Sequence, residues 1–483
     1  MQNRMPLVEA MLKYKNERVY PFHTPGHKGG LGMEALLKNE LGAGAVAMDV
    51  SLMSELDDIH APSSYIMEAQ NLAAQLYGSD RCFFAVNGTT GAIHAMLMAA
   101  CKAGDKVLVP RNAHRSVAGA LLLANLEPVF AMPEYDAVFC INTQITPQAV
   151  EAMFARHADI KAVLVTSPNY YGQAADLKAI AGIAHAHNAA LLVDEAHGPH
   201  LGFSSKLPPS ALQCGADACA QSTHKILGAM TQCSLLHVKG GRINLTRAAE
   251  AVSLLTTTSP NYLLMASIDA ARYTLAVQGD KLIERALTAA EKLRKCLSKF
   301  AGLKLLDAGC TVKNGIAGFD CTKVTVNTAA WGYSGTEVGD ALRKAGIAVE
   351  LTDAQNVLFL VTFADDGEEY DAVLEKISRV FAGLEQHKRA PLKEQNCWKL
   401  PEFVTAVPLR SAFDAETESL PLQEAEGRIC AEQVSFYPPG IPVLLPGELV
   451  TAEIIDYCLR MKKLRLPVSG PADYTLTELR VIK

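Results

Sequence analysis

LVDEAHG (192–198) and STHK (222–225), about thirty residues apart, set the fold and the chemistry expected of this chain. Asp194 ends the apolar run ALLVD (190–194), which has the length of a buried strand. A carboxylate there is costly unless a cation sits opposite it. A protonated pyridine nitrogen is such a cation, and keeping it protonated makes the ring a strong electron sink. Lys225 lies among small and apolar neighbours, where an ammonium loses its proton more readily, as imine chemistry requires. Ser222 can bind a phosphate oxygen, and His224 lies beside the amine. Taken singly, each has an ordinary reading: a strand-end Asp caps helices or forms turns, and a lone lysine is a solvated charge. Together they fit one cofactor, pyridoxal 5′-phosphate (PLP).

The string DEAH also serves helicases as a magnesium and ATP box, but that requires an upstream G-x-x-x-x-G-K-[ST] loop. The chain has none, so neither metal nor nucleotide is expected. Working outward, NGTTGAIHA (87–95) places Gly88 and Gly91 where backbone can approach a ligand, with the hydroxyls of Thr89 and Thr90 at a helix start. Such a start is an anion site, and equally an ordinary turn with an N-cap. His114, in PRNAHRS (110–116), opens the next helix; it is either a capping histidine or an imidazole stacked on the cofactor ring.

Short apolar runs at 106–110, 127–132, 161–166 and 190–194 alternate with helical patterns near 89–102, 114–124, 147–157 and 176–187. That alternation predicts a mainly parallel sheet covered on both faces, with ligands at the carboxyl ends of its strands. Residues 246–278 read as helix interrupted around Ser259-Pro260, and Leu282, Ile283, Ala286, Leu287, Ala290, Leu293 and Leu297 mark a face of another helix. A smaller α/β unit is expected from strands near 323–328, 346–351 and 357–362 with helices near 335–344 and 369–384. Residues 386–400 read as a polar linker. The expected organisation is an N-terminal segment (1–45), a PLP-binding large domain (46–270), a small α/β domain (271–388) and a C-terminal domain (389–483).

With 483 residues, 49% hydrophobic and 20% charged, the chain has ordinary globular composition. Its net charge of −6 gives no general attraction to nucleic acid or anionic membrane. No apolar run reaches the roughly 18–20 residues of a membrane span, and no secretory signal is visible at the start. Twelve cysteines without C-x-x-C pairs read as reduced, mostly buried thiols in a cytoplasmic protein.

PFHTPGHKGG (21–30), LDDIHAP (56–62), FAVNGTTGAI (84–93), VPRNAHRS (109–116), LVDEAHGPH (192–200), STHK (222–225) and YPPGIPVLLPGE (437–448) together resemble the bacterial-type ornithine/lysine/arginine decarboxylases. They run in family order over almost the whole chain, and the likeness is to the short, arginine decarboxylase-like members. The HTPGHK motif comes by residue 23, which is expected to leave no room for the response-regulator-like domain of the larger members. The resemblance implies an α/β fold of the aspartate-aminotransferase type (PLP fold type I), with a seven-stranded large-domain sheet. It implies Lys225 as the Schiff-base lysine, Asp194 as the pyridinium partner and His114 as the ring-stacking residue. Gly88, Thr89, Thr90, Ser222 and His224 would surround the phosphate and the imine, and His197 would lie near the phenolic oxygen. TTTSPNY (256–262) resembles a stretch that reaches the partner subunit's cofactor, so a homodimer or dimer-based oligomer is expected. Family members often carry Ser at position 90 and Thr at 169, where this chain has Thr90 and Asn169; both keep a polar side chain.

The activity so implied is PLP-dependent decarboxylation of a basic amino acid, with His224 or Lys225 returning a proton to Cα. L-Arginine to agmatine is favoured, as in polyamine biosynthesis, then lysine, then ornithine. Glu350 and Asp353 are candidates to meet the basic side chain. Two other classes stay open: another fold-type-I reaction such as transamination, which needs an arginine for the substrate carboxylate, and a non-catalytic PLP-binding protein.

Overall fold

The computed structural model describes residues 2–53, 55–310, 315–392, 399–436 and 440–483; Tyr437, Pro438 and Pro439 of the YPPGIP motif lie outside these. Seven strands form the central sheet: β1 (Arg81–Ala85), β2 (Lys106–Pro110), β3 (Glu127–Ala131), β4 (Ile160–Thr166), β5 (Ala190–Asp194), β6 (Ala218–Ser222) and β7 (Ser234–Val238). Their order is β1-β7-β6-β5-β4-β2-β3. β2 pairs in parallel with β3 and β4, and β5 with β6, whereas β7 runs antiparallel to both β6 and β1. Continuous apolar sequence makes these strands because both faces are covered: Val107, Leu108, Leu191, Leu192 and Val193 have no exposed surface.

Compactness divides the chain into two units. The first comprises Met1–Cys101, Ala190–Ser205 and Pro209–Leu282; the second comprises Lys102–Ala189, Lys206–Pro208 and Ile283–Lys483. In the first, the helices Pro6–Glu17 and Tyr65–Tyr77 bury Leu7, Met11 and Ile66 with Phe84 of β1 and Leu235 of β7. In the second, an antiparallel four-stranded sheet (Lys304–Leu305, Lys323–Asn327, Asn356–Leu360, Leu351–Thr352) packs with helices Gly335–Lys344 and Gly367–Gln386 around Trp331 and Phe381. The C-terminal part has its own core around Val434, Leu444, Ile454 and Leu479.

Three details differ from expectation. Tyr262–Leu297 is a single helix of 36 residues, so the two patterns read on either side of residue 280 are one element. Only the last residue of the strand expected at 346–351 is in a strand. Gly346, at φ 81°, and the bond from the Ile347 amide to the Leu342 carbonyl (2.9 Å) terminate the preceding helix instead. Cys140 is disulfide-bonded, unlike the nine cysteines that are free among the described residues, so a fully reduced set does not hold at that position. Among the described residues no helix is long and apolar enough to cross a membrane.

Candidate active site

The site grows from the carboxyl ends of two neighbouring parallel strands. In the register of β5 and β6, Asp194 lies opposite Ala220. The Glu195 amide then donates to the Ala220 carbonyl (2.9 Å), and the Ser222 amide to the Ala196 carbonyl (3.3 Å). The chain leaves β6 directly into a one-turn helix, Thr223–Ile226, which carries His224 and Lys225. Asp194 and Lys225 are thereby brought to one end of the sheet. Asp194 is 3% exposed. Burial pushes its pKa up, while the nearby Lys225 charge and the Ala196 amide at 3.2 Å pull it back.

Lys225 Nζ lies 3.0 Å from Nε2 of His197, itself buried three residues beyond Asp194. His224 turns the other way: its Nδ1 is 2.8 Å from the Cys233 carbonyl oxygen. A carbonyl only accepts, so Nδ1 carries the hydrogen and Nε2 of the neutral ring carries the lone pair. Burial, and then the Lys225 charge, lower the His224 pKa against the opposing Cys233 bond, which favours that neutral form.

The polar cradle is built from hydroxyls. Thr89 Oγ1 hydrogen-bonds Ser222 Oγ and, at 2.9 Å, Ser234 Oγ, so three buried hydroxyls from three elements meet. Thr89 and the exposed Thr90 sit in the first turn of the helix Gly88–Ala100, where backbone amides have no intrahelical acceptor. Gly88 takes φ 68°, and its amide is committed to the Gln232 carbonyl (3.0 Å); its contribution is the turn that aims the helix. Ser234 and Gln232 were not anticipated. Ser234 lies in β7, whose short QCSLLHV sequence gives no strand signal of its own beside longer apolar runs.

Glu195 is a further buried carboxylate, accepting from the Ala211 amide and from Gln221 Nε2, both at 2.7 Å. It ties the end of β5 to Gln221 of β6, one residue beyond Asp194, and burial pushes its pKa up to about 7. His114 belongs to the second unit. There it caps the helix Arg115–Leu123, with Nδ1 accepting from the Ser116 amide (3.2 Å) and 2.8 Å from Ser116 Oγ. Just before it, Arg111 makes a buried ion pair with Glu448 (3.0 Å) and donates to the carbonyls of Pro442 and Val443. Glu350 is exposed, whereas Asp353 is built into a bonded loop described below.

The first unit therefore assembles an amine-bearing lysine, a buried carboxylate needing a cation, and a hydroxyl cluster at a helix start suited to an anion. That donor set fits a group with an aldehyde, a protonated ring nitrogen and a phosphate. Among the described residues no group of three or more His, Cys, Asp or Glu side chains is arranged to hold a metal.

Residues 5–324 match the family model described as Orn/Lys/Arg decarboxylase, major domain, and residues 400–470 match that family's C-terminal domain. An arginine decarboxylase of Bacillus anthracis is 41% identical over 484 residues, covering 100% of this chain and 98% of its own. That of Bacillus subtilis is 40% identical with the same coverage. Among solved structures, a lysine decarboxylase of Francisella novicida superposes with a TM-score of 0.83 at 24% identity, covering 100% of this chain and 81% of its own. The expected aspartate-aminotransferase-like fold, with its mainly parallel seven-stranded sheet, is the fold observed. With the major-domain match spanning more than half of the chain and full-length relatives at 40–41% identity, the chain belongs to the ornithine/lysine/arginine decarboxylase family.

Proposed function

We propose that this protein is a PLP-dependent decarboxylase that converts L-arginine to agmatine and CO₂. The observation that carries the chemistry is the convergence of Lys225, His197 and the buried Asp194 at the ends of β5 and β6. Arginine is favoured over lysine because the full-length relatives at 40–41% identity are named arginine decarboxylases.

When bound, PLP supplies the electron sink for the pair left behind as the carboxylate departs. Asp194 would hold the ring nitrogen protonated, and the ion pair would offset the cost of its burial. Thr89, Thr90, Ser222 and Ser234 would hold the phosphate at the helix start. Lys225 would hold the aldehyde carbon. The family resemblance gives the ring-covering role to His114, whose imidazole is held through Nδ1 by Ser116 within the second unit.

The hydrogen-bond pattern separates the two histidines. Neutral His224 presents an acceptor at Nε2 and has no proton there to give. Lys225 Nζ, hydrogen-bonded to His197 Nε2, is the atom that can deliver a proton to Cα, and His197 can exchange one with it. These two contacts support Lys225, rather than His224, as the residue that returns the proton.

The test is amine and CO₂ formation by the PLP-loaded protein given arginine, lysine and ornithine separately. Agmatine with matching CO₂ is expected. Cadaverine or putrescine as the faster product would replace the substrate. Keto acid without CO₂ would replace the reaction by transamination, and no turnover with PLP bound would leave a binding protein.

A further inference from the structure

Within the second unit, a cavity of about 120 Å³ opens between the hairpin Tyr135–Asn142, the Tyr171 loop, the Asp353 turn and the C-terminal helix Ala452–Lys463. A water needs about 10–15 Å³ on this measure, so the space takes a ligand of several heavy atoms. Its polar and aromatic wall is made by Asn142, Tyr171, Asp353, Phe436 and Tyr457, and no Lys, Arg or His is among its described lining residues.

Among the described lining residues Asp353 is the only charged group. It lies deep among packed atoms yet keeps part of its surface open, as a carboxylate at a cavity wall does. Tyr171 donates its hydroxyl to Oδ2 (2.7 Å), and the amides of Gln355 and Asn356 hold Oδ1 at 2.8 Å. These bonds orient the carboxylate, it makes no ion pair among the described residues, and burial raises its pKa despite the bonds. Around it are phenols, one of which, Tyr135, has Lys399 Nζ 5.5 Å from its ring centroid. Tyr135, Tyr171 and Tyr457 all lie in its electrostatic field, and the buried Tyr135 hydroxyl makes no hydrogen bond among the described residues. A desolvated negative charge ringed by aromatic faces is complementary to an organic cation, which gains both ion pairing and cation–π attraction.

We propose that this cavity binds a small organic cation, an alkylguanidinium or alkylammonium, with Asp353 as the counter-charge and Tyr171, Tyr457 and Phe436 as the aromatic wall. The cation has two possible sources: the side chain of the amino acid undergoing reaction, or a free amine bound as an effector. Only the first source rests on the decarboxylase reading.

The test is calorimetric binding of n-butylguanidinium to the PLP-loaded protein. This probe has no primary amine to condense with an aldehyde, and its binding is read without turnover. Asp353→Asn removes the charge while keeping the shape, and Met461→Trp adds bulk to the cavity from the helix Ala452–Lys463 while leaving the Asp353 side chain unaltered. Binding to the unmodified protein, weakened at least tenfold in both variants, is the expected result. Unchanged affinity in the two variants, or no binding to the unmodified protein at millimolar concentration, would overturn the proposal. The source is read from kinetics on the same proteins. A KM for arginine that rises with the probe's Kd assigns the cavity to the substrate side chain; an unchanged KM with lost probe binding assigns it to a free amine. Absence of any decarboxylation would defeat the proposed function and leave the binding result standing.

Discussion

Lys225 Nζ and His197 Nε2 are 3.0 Å apart, and the two residues come from the ends of adjacent parallel strands. The contact ties the amine that would hold the cofactor to an imidazole able to trade a proton with it, three residues from the carboxylate that would charge the ring. Lys225→Ala is therefore expected to lower decarboxylation by about 1,000-fold or more, since it removes both the covalent anchor and the proton donor. Circular dichroism should be unchanged. Appreciable CO₂ release by this variant would sink the assignment.

His197→Gln keeps a polar group but removes the titrating ring. A fall of about 100-fold in kcat is expected, the usual contribution of one acid–base group. His224→Gln should have the smaller effect on kcat, because the neutral ring has no proton to return at Nε2. Steady-state kinetics on the two variants decides between them, and a larger loss at His224 would reverse the proton assignment.

Glu195 makes the stability of the cofactor-free protein depend on pH. Its folded pKa, about 7, lies above its ordinary 4.5, so the folded state binds the proton more tightly than the unfolded one. The resulting stability is complete below pH 4.5 and is lost as pH rises through about 7. A shift of this size corresponds to about 3 kcal/mol. Glu195→Gln should remove that slope, seen as a smaller difference between urea midpoints at pH 5 and pH 8. Equal differences in the two proteins would mean that Glu195 stays ionised throughout.

Arg111 and Glu448 are 3% and 2% exposed and paired at 3.0 Å. Glu448→Leu leaves the Arg111 charge buried alone and should destabilise the second unit by about 3–5 kcal/mol. The double variant Arg111→Met/Glu448→Leu should recover much of that loss, because no uncompensated charge remains. Denaturant unfolding of the three proteins checks this, and additive losses would show that the pair is not coupled.

What the sequence determined by itself was the chemistry and the parallel half of the fold. Asp194 and Lys225 could be singled out as candidates because each sits next to a local signal, an apolar strand and a short small-residue turn. The strands β2 to β5 could be read because burial on both faces leaves an unbroken apolar run. Tertiary structure decided the rest. β1 and β7 are short runs bounded or broken by Arg81, Ser234 and His237, and β6 carries Gln221 among small residues, so none offers a decisive run. The cradle joins Thr89 to Ser222 and Ser234, which are 133 and 145 positions away. The tautomer of His224 depends on the Cys233 carbonyl, a group present in every residue and therefore invisible in a sequence. Residue types announce what a side chain can do; which partner it meets is set by long-range packing, and only the folded chain supplies that.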